Sequence, residues 1–207
     1  MCSCQRFLSA LVKEIGVRLV ASEFVSLDGV MEDPGGSEQS AHGGWTLPYW
    51  NDDVARFKYD ELFAGDALLL GRATYEGFAK AWPTMKDDQG FADRMNSIPK
   101  YVVSRTLGNP TWNNTKSIRV NAKEEVLKLK AGEGRDILVF GSARLVHGLT
   151  RAGLVDEYRF LVYPVVLAHG KRIFEGEHYQ KLNLLEARQL GQVTLLRYEL
   201  AANAIGP

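Results

Sequence analysis

The chain has 207 residues, 45% of them hydrophobic, with 25 Lys and Arg against 25 Asp and Glu. That length and apolar share are enough for one domain with a full core. The charges cancel and no basic block stands out, so neither nucleic acid nor a membrane surface is expected as a partner.

The only cysteines, Cys2 and Cys4, stand too close together to staple a fold, and a reduced, cytoplasmic setting is expected. His42, His147, His169 and His178 show no metal-ligand spacing, so no metal is assigned. The apolar runs are too short to cross a bilayer. Residues 1–16 carry a short apolar stretch, Phe7–Val12, without a small-residue cleavage site after it. They read as an extension ahead of the first strand.

Val17–Ser26 is rich in β-branched and apolar residues and predicts the first strand, followed by a turn at Leu27-Asp28-Gly29 and a polar, Gly-rich loop over Glu32–Gly44. A helix is expected over Asp52–Phe63, with Asp52 and Asp53 suiting its N-terminal end. The apolar run Ala67–Leu70, ending at Gly71, predicts a strand buried on both faces. The helix after it places Tyr75, Phe78, Ala79 and Trp82 on one face and stops at Pro83. Thr84–Asn96 reads as a loop with a short helix, Lys100–Ser104 as a strand and Lys116–Val120 as a weak one.

Asn121-Ala122-Lys123-Glu124 has the pattern of a capping box and opens a helix through Leu129. Asp136–Phe140 predicts a buried strand running into Gly141-Ser142-Ala143, then a helix bearing Leu145, Val146 and Leu149. Glu157–Val166, Leu182–Leu190 and Val193–Leu200 read as strands, the last two joined by a turn at Gly191-Gln192. Alternating βα units followed by a hairpin imply an α/β fold. Its sheet is mostly parallel, flanked by helices, with antiparallel strands at one edge. The division expected is an extension (1–16), one domain (17–200) and a tail (201–207).

Two places share one geometry, a buried strand that ends at glycine with a helix starting at once: Gly71-Arg72-Ala73-Thr74 and Gly141-Ser142-Ala143-Arg144. Unpaired N–H groups at a helix start attract phosphate, and such strand ends gather at one rim of an open sheet. A glycine at either site alone is more often a plain turn, with Thr74 and Ser142 as helix caps. With Ser104-Arg105 ending a third strand, the set suits a pyrophosphate and a further phosphate, Arg72 and Arg105 acting as charge-assisted donors. No Gly-x-Gly-x-x-Gly follows the first strand, which speaks against an ordinary Rossmann dehydrogenase.

Trp45-Thr46-Leu47-Pro48, the segment Asp53–Lys58 and Gly71–Glu76 resemble the early half of dihydrofolate reductases in order and spacing. Ser26-Leu27-Asp28-Gly29, Pro99–Ser104 and Pro164–Leu167 followed by Gly170-Lys171 resemble more closely the reductase domain of bacterial riboflavin biosynthesis. The likeness runs from Val17 to Leu200 and implies a dihydrofolate-reductase-like fold that binds NADPH.

By position, the resemblance implies that Gly71, Arg72 and Thr74 meet cofactor phosphates, and that Ser104 and Arg105 meet the adenosine 2′-phosphate. It further implies that Gly141, Ser142, Ala143 and Arg144 wrap the pyrophosphate, with Ala21 and Ser22 beside the nicotinamide. Asp53 takes the place of the carboxylate that helps protonate the substrate, and Phe57 and Trp45 line the substrate cleft. Trp50 is either a cleft residue or core packing, and Asp53 is either the acid or simply a helix N-terminal charge.

The chain departs from these relatives in three places. Gly141-Ser142 replaces paired glycines, Ala168-His169-Gly170 replaces three glycines, and the Gly-Thr…Asp-Asp-Pro segment of riboflavin-pathway reductases is missing. The zinc-deaminase signature is missing too.

The expected activity is hydride transfer from NADPH to a small heterocycle, pterin-like or aminouracil-like, as in 5-amino-6-(5-phosphoribosylamino)uracil reductase. A non-catalytic protein that keeps the fold and binds NADPH is the alternative. A homodimer is one way of covering the C-terminal edge strands.

Overall fold

The computed structural model describes residues 16–176 and 179–201. Cys2, Cys4, His178, residues 1–15 of the extension and 202–207 of the tail lie outside the described residues.

The elements follow in the order β1 (Leu19–Ser26), α1 (Asp52–Ala64), β2 (Gly65–Gly71), α2 (Arg72–Ala81), α3 (Phe91–Ser97), β3 (Lys100–Val103) and β4 (Thr115–Ile118). Then come α4 (Ala122–Lys130), β5 (Asp136–Phe140), α5 (Ala143–Arg151), β6 (Glu157–Tyr163), β7 (Leu182–Leu190) and β8 (Val193–Leu200). The eight strands form one sheet in the order β4-β3-β2-β5-β1-β6-β8-β7. Pairing is parallel from β4 through β6 and antiparallel from β6 to β8 and β7.

Successive side chains on a strand point to opposite faces, and here both faces of the parallel half are covered. Leu19, Ala21, Leu69, Ile137 and Val139 pack under α4 and α5 with Val126, Val146 and Leu149. Val20, Leu68, Leu70, Leu138 and Phe140 face the other way, against Leu62 of α1, Tyr75 of α2 and Met95 of α3. Burying each such leucine contributes roughly 1.5–3 kcal/mol. A third cluster, Trp45, Val54, Leu161, Tyr163, Leu190 and Leu195, closes the antiparallel half under the start of α1.

Most expected elements are present, with shifted ends. The strand expected over Glu157–Val166 stops at Tyr163, because Pro164 has no N–H to continue a ladder. The capping box expected at Asn121 does not form. Asn121 adopts a left-handed conformation (φ 50°) and its side chain caps nothing, a backbone state that asparagine tolerates better than most residues. In the 84–96 segment, the Asp87 carboxylate accepts from the Phe91 and Ala92 N–H groups and so starts α3.

Candidate active site

From β1 the chain crosses to β2 on one side, and from β5 it crosses to β6 on the other. The crevice where such connections part is where open α/β sheets bind ligands. Here it lies between β5 and β1. β5 ends at Phe140, opposite Ser22, while β1 runs on to Ser26 beside β6 alone. Glu23 and Phe24 therefore border the gap, and a cleft of about 1450 Å³ opens over it.

Besides α3 and α4, whose first residues Phe91 and Ala122 line this cleft, two more helices begin on it, α2 after Gly71 and α5 after Ser142. Neither has a side-chain cap, and neither has an acidic residue in its first turn. The other helices differ. α1 is capped by Asn51 and carries Asp52 and Asp53, α3 carries Asp93, and α4 carries Glu124 and Glu125. Of the four helix starts on the cleft, those of α2 and α5 lack an acidic residue in the first turn, which leaves their N–H groups and positive dipole ends available to an anion.

The two turns also interlock. Gly71 N–H donates to Ser142 Oγ at 2.8 Å, and a Cβ at Gly71 would lie 3.3 Å from the Ser142 side chain. Gly141 and Ser142 are both left-handed (φ 60° and 66°), and a Cβ at Gly141 would come within 3.2 Å of Thr74 Oγ1. Ser142 therefore joins the turns by a hydrogen bond and Thr74 packs close to Gly141, with Arg72 and Arg144 lining the cleft beside them. The Arg72 guanidinium donates to Glu76 and to Thr106 Oγ1, both at 2.7 Å.

On the other side of the gap a buried cation meets the strand. Lys58 Nζ donates to Ser22 Oγ at 3.0 Å and to Glu61 Oε2 at 2.6 Å, and lies 3.8 Å from the centre of the Phe140 ring. Glu61 in turn accepts from Arg159 at 3.1 Å, and Arg159 also pairs with Glu157 and Asp136. These charges are almost fully buried, and their mutual pairing is what makes that tolerable.

Glu23 stands apart from this network. It is 2% exposed, Oε2 accepts from Gly141 N–H at 2.7 Å, and Oε1 is buried without a hydrogen-bond partner. Burial pushes its carboxyl well above the usual carboxylate range, against the opposing pull of Lys58 and the Gly141 N–H.

Six aromatic rings, Phe24, Trp50, Tyr59, Phe78, Trp82 and Phe91, complete the lining.

A profile of the RibD C-terminal domain family matches residues 18–196. The chain belongs to that family. It is 34% identical to the Bacillus subtilis protein YyaP, itself uncharacterized, over 81% of this chain and 85% of the relative. Among solved structures, RibD of Acinetobacter baumannii superposes with a TM-score of 0.60 at 17% identity, covering 95% of this chain and 61% of that one. Dihydrofolate reductase from Enterococcus faecalis superposes with a TM-score of 0.56 at 15% identity, covering 90% and 99%. The fold is dihydrofolate-reductase-like, as the sequence resemblance implied.

Within this RibD-type domain the expected site residues divide. Ser22, Gly71, Arg72, Thr74, Gly141, Ser142, Ala143 and Arg144 all line the cleft, and so does Trp50. Ala21 is fully buried in the core under α4 and α5. Trp45 packs in the third cluster and donates Nε1–H to the Glu32 carbonyl, while Phe57 packs against that cluster. Ser104 Oγ accepts from the Thr106 and Leu107 N–H groups and so shapes its own turn, next to an exposed Arg105.

Asp53 is exposed in the first turn of α1, and the cleft lining does not include it. Glu23, which does border the gap, and Glu61, which lies behind it bonded to Ser22 and Lys58, are acids that sequence reasoning passes over. The available signal is Ser22-Glu23 inside an otherwise apolar strand, since a glutamate at such a place is rarely buried without a reason.

Among the described residues no group of three or more His, Cys, Asp or Glu is placed to hold a metal ion, and no helix is long and apolar enough to cross a membrane.

Proposed function

We propose that this protein is an NADPH-dependent reductase that delivers hydride to a C=N or C=O bond of a small planar heterocycle. The observation that carries the reading is the pair of uncapped, acid-free helix starts at Gly71-Arg72 and Ser142-Ala143, interlocked at the mouth of one cleft. Two such starts suit a molecule with two phosphate groups, and the left-handed pair Gly141-Ser142 leads into the second of them, with the Gly141 N–H itself taken by Glu23. Arg72 and Arg144 add positive charge at the same rim.

When bound, NADPH supplies the hydride; the chain supplies position and electrostatics. The cleft, at about 1450 Å³, exceeds the range of roughly 300–1,000 Å³ usual for one small ligand, which suits a dinucleotide with a second molecule. The aromatic lining favours a flat ring and keeps water away from it. Support for reductase chemistry also comes from the kin of this fold. One neighbour is a dihydrofolate reductase complexed with NADP(H), and another is RibD.

NADPH binding tests the reading directly. A ligand at about 100 times its Kd stabilises the folded state by roughly 2.7 kcal/mol. At roughly 2–4 °C per kcal/mol for a chain of this size, saturating NADPH should raise the melting temperature by about 5–11 °C. No shift with NADPH would refute the reading. A shift without NADPH oxidation against pterins, aminouracils and quinones would favour the non-catalytic binder.

A further inference from the structure

We infer that Glu23 is the acid that protonates the substrate atom next to the carbon receiving hydride, an inference that rests on the reductase reading above. Its place on β1 is the reason. Oε2 accepts from Gly141 N–H at the start of the turn that leads into α5, while Lys58 and Glu61 of α1 are the charged groups acting on it from the other side. Glu23 thus stands where the phosphate-binding side of the cleft meets the side lined by α1 and its aromatic neighbours.

The state of the carboxyl follows from its contacts. Oε2 accepts from a backbone donor, so a proton on the group belongs on Oε1, which is buried without a partner, on a residue that lines the cleft. A buried oxygen left unpaired is destabilising, and a ligand atom that accepts a proton from it relieves that penalty. Lys58 does not offset a charge on Glu23 by contact, because its ammonium is committed to Ser22 and Glu61.

The step balances. The carbon of a C=N bond takes hydride with its two electrons, the π pair moves to nitrogen, and nitrogen takes the proton from Oε1. The Glu23 O–H bond breaks, an N–H bond forms, and the carboxylate regains a proton from water when product leaves. The substrate class is therefore a planar ring whose C=N nitrogen is unprotonated in solution. A ring that arrives as a cation has no need of Glu23.

That difference is the test. Quinoxalinone has a weakly basic C=N nitrogen, and its N-methyl cation accepts hydride without needing a proton. The E23Q protein keeps a side-chain oxygen for Gly141 N–H and has no acidic proton. Expected is a loss of about a hundredfold or more in NADPH-dependent reduction of quinoxalinone, with reduction of the N-methyl cation and the Kd for NADPH both within about threefold of wild type. Equal losses on the two probes, or no loss on either, would overturn the assignment to Glu23 while leaving the reductase reading intact.

If the wild-type protein binds no NADPH and reduces neither probe, the reductase reading fails, and this inference with it. The wild-type protein gives a second readout that does not depend on the folding of E23Q. Infrared spectra of protein labelled with carbon-13 glutamate must show an un-ionised glutamate carboxyl at pH 7, and its absence would refute a proton on Glu23.

Discussion

Glu157→Gln probes the charge network that underlies the site. Glu157 is 1% exposed on β6, and its oxygens accept from Arg159 and Arg197 at 2.7 Å and from Arg18 at 2.9 Å. Burial alone would raise its pKa, yet the Arg159 and Arg197 guanidiniums win and hold it at about 2 against an ordinary value of 4.5. A lowered pKa means that folding favours the ionised form. The stability this contributes is fully present above the unfolded value and is lost as pH falls through the folded one.

At roughly 1.4 kcal/mol per pKa unit, Glu157 contributes about 3 kcal/mol at pH 7, similar to the cost of breaking a buried pair. Glu157→Gln should therefore lower the melting temperature by about 6–12 °C at neutral pH. Urea unfolding followed from pH 7 downward should show the wild type losing its advantage between about 4.5 and about 2, where the mutant has nothing to lose. NADPH affinity should stay within about threefold, since Glu157 does not line the cleft. A difference below about 1 kcal/mol at pH 7, or one that does not narrow in acid, would refute this account of the network.

Arg72→Ala should weaken NADPH tenfold to a hundredfold, as roughly 1.5–3 kcal/mol for a charged hydrogen bond implies, and leave NADH almost unchanged in a fluorescence titration. Equal losses for both cofactors would place Arg72 on the pyrophosphate or on its contacts with Glu76 and Thr106. Gly141→Ala forces a methyl into a left-handed position (φ 60°) and to 3.2 Å from Thr74 Oγ1, so calorimetry should show a melting temperature lower by roughly 2–8 °C and NADPH should bind more weakly. Asp53→Asn should cost only about 0.3–1 kcal/mol of stability, the worth of an acid at a helix start, with turnover unchanged. A hundredfold loss of turnover would return the acid's role to Asp53.

What could be read in the sequence was what depends on neighbours in the chain. A run such as Leu68-Leu69-Leu70-Gly71 followed by a helix states its own structure, because a strand buried on both faces must be apolar throughout and glycine marks its end. The cleft-lining turns at Gly71 and Gly141 were legible for that reason. Contacts between distant segments were not. Lys58 meets Ser22 from 36 positions away, and Arg159 meets Glu61 from 98 away, so nothing local announces either pair. The Ser104 hydroxyl accepts from backbone donors two and three positions on, a local bond that serine often prefers and that its sequence position alone does not reveal. Asp53 and Asn121 show the same limit at helix starts. The residue type was right for a cap or an acid, but the backbone angle and the exposure were decided by the packing around them.

Glu23 and Glu157 put the chemistry of the site in one comparison. Both are glutamates on adjacent strands of the same sheet, and both are almost wholly buried. Glu157 is met by three arginines and is held ionised, whereas Glu23 is met by one backbone N–H and is pushed toward its neutral form. Two carboxyls with pKa values driven apart by their surroundings are a familiar way to keep one as a fixed charge and the other as a proton donor. The arrangement is not what stability alone would select. An apolar side chain at position 23 would leave no unpaired oxygen, and a cation beside it would satisfy the charge as it does for Glu157. A fold that pairs one buried glutamate so thoroughly, yet leaves an oxygen of the other, on a cleft-lining residue, buried and unpaired, carries a cost that makes sense where a substrate completes the pairing.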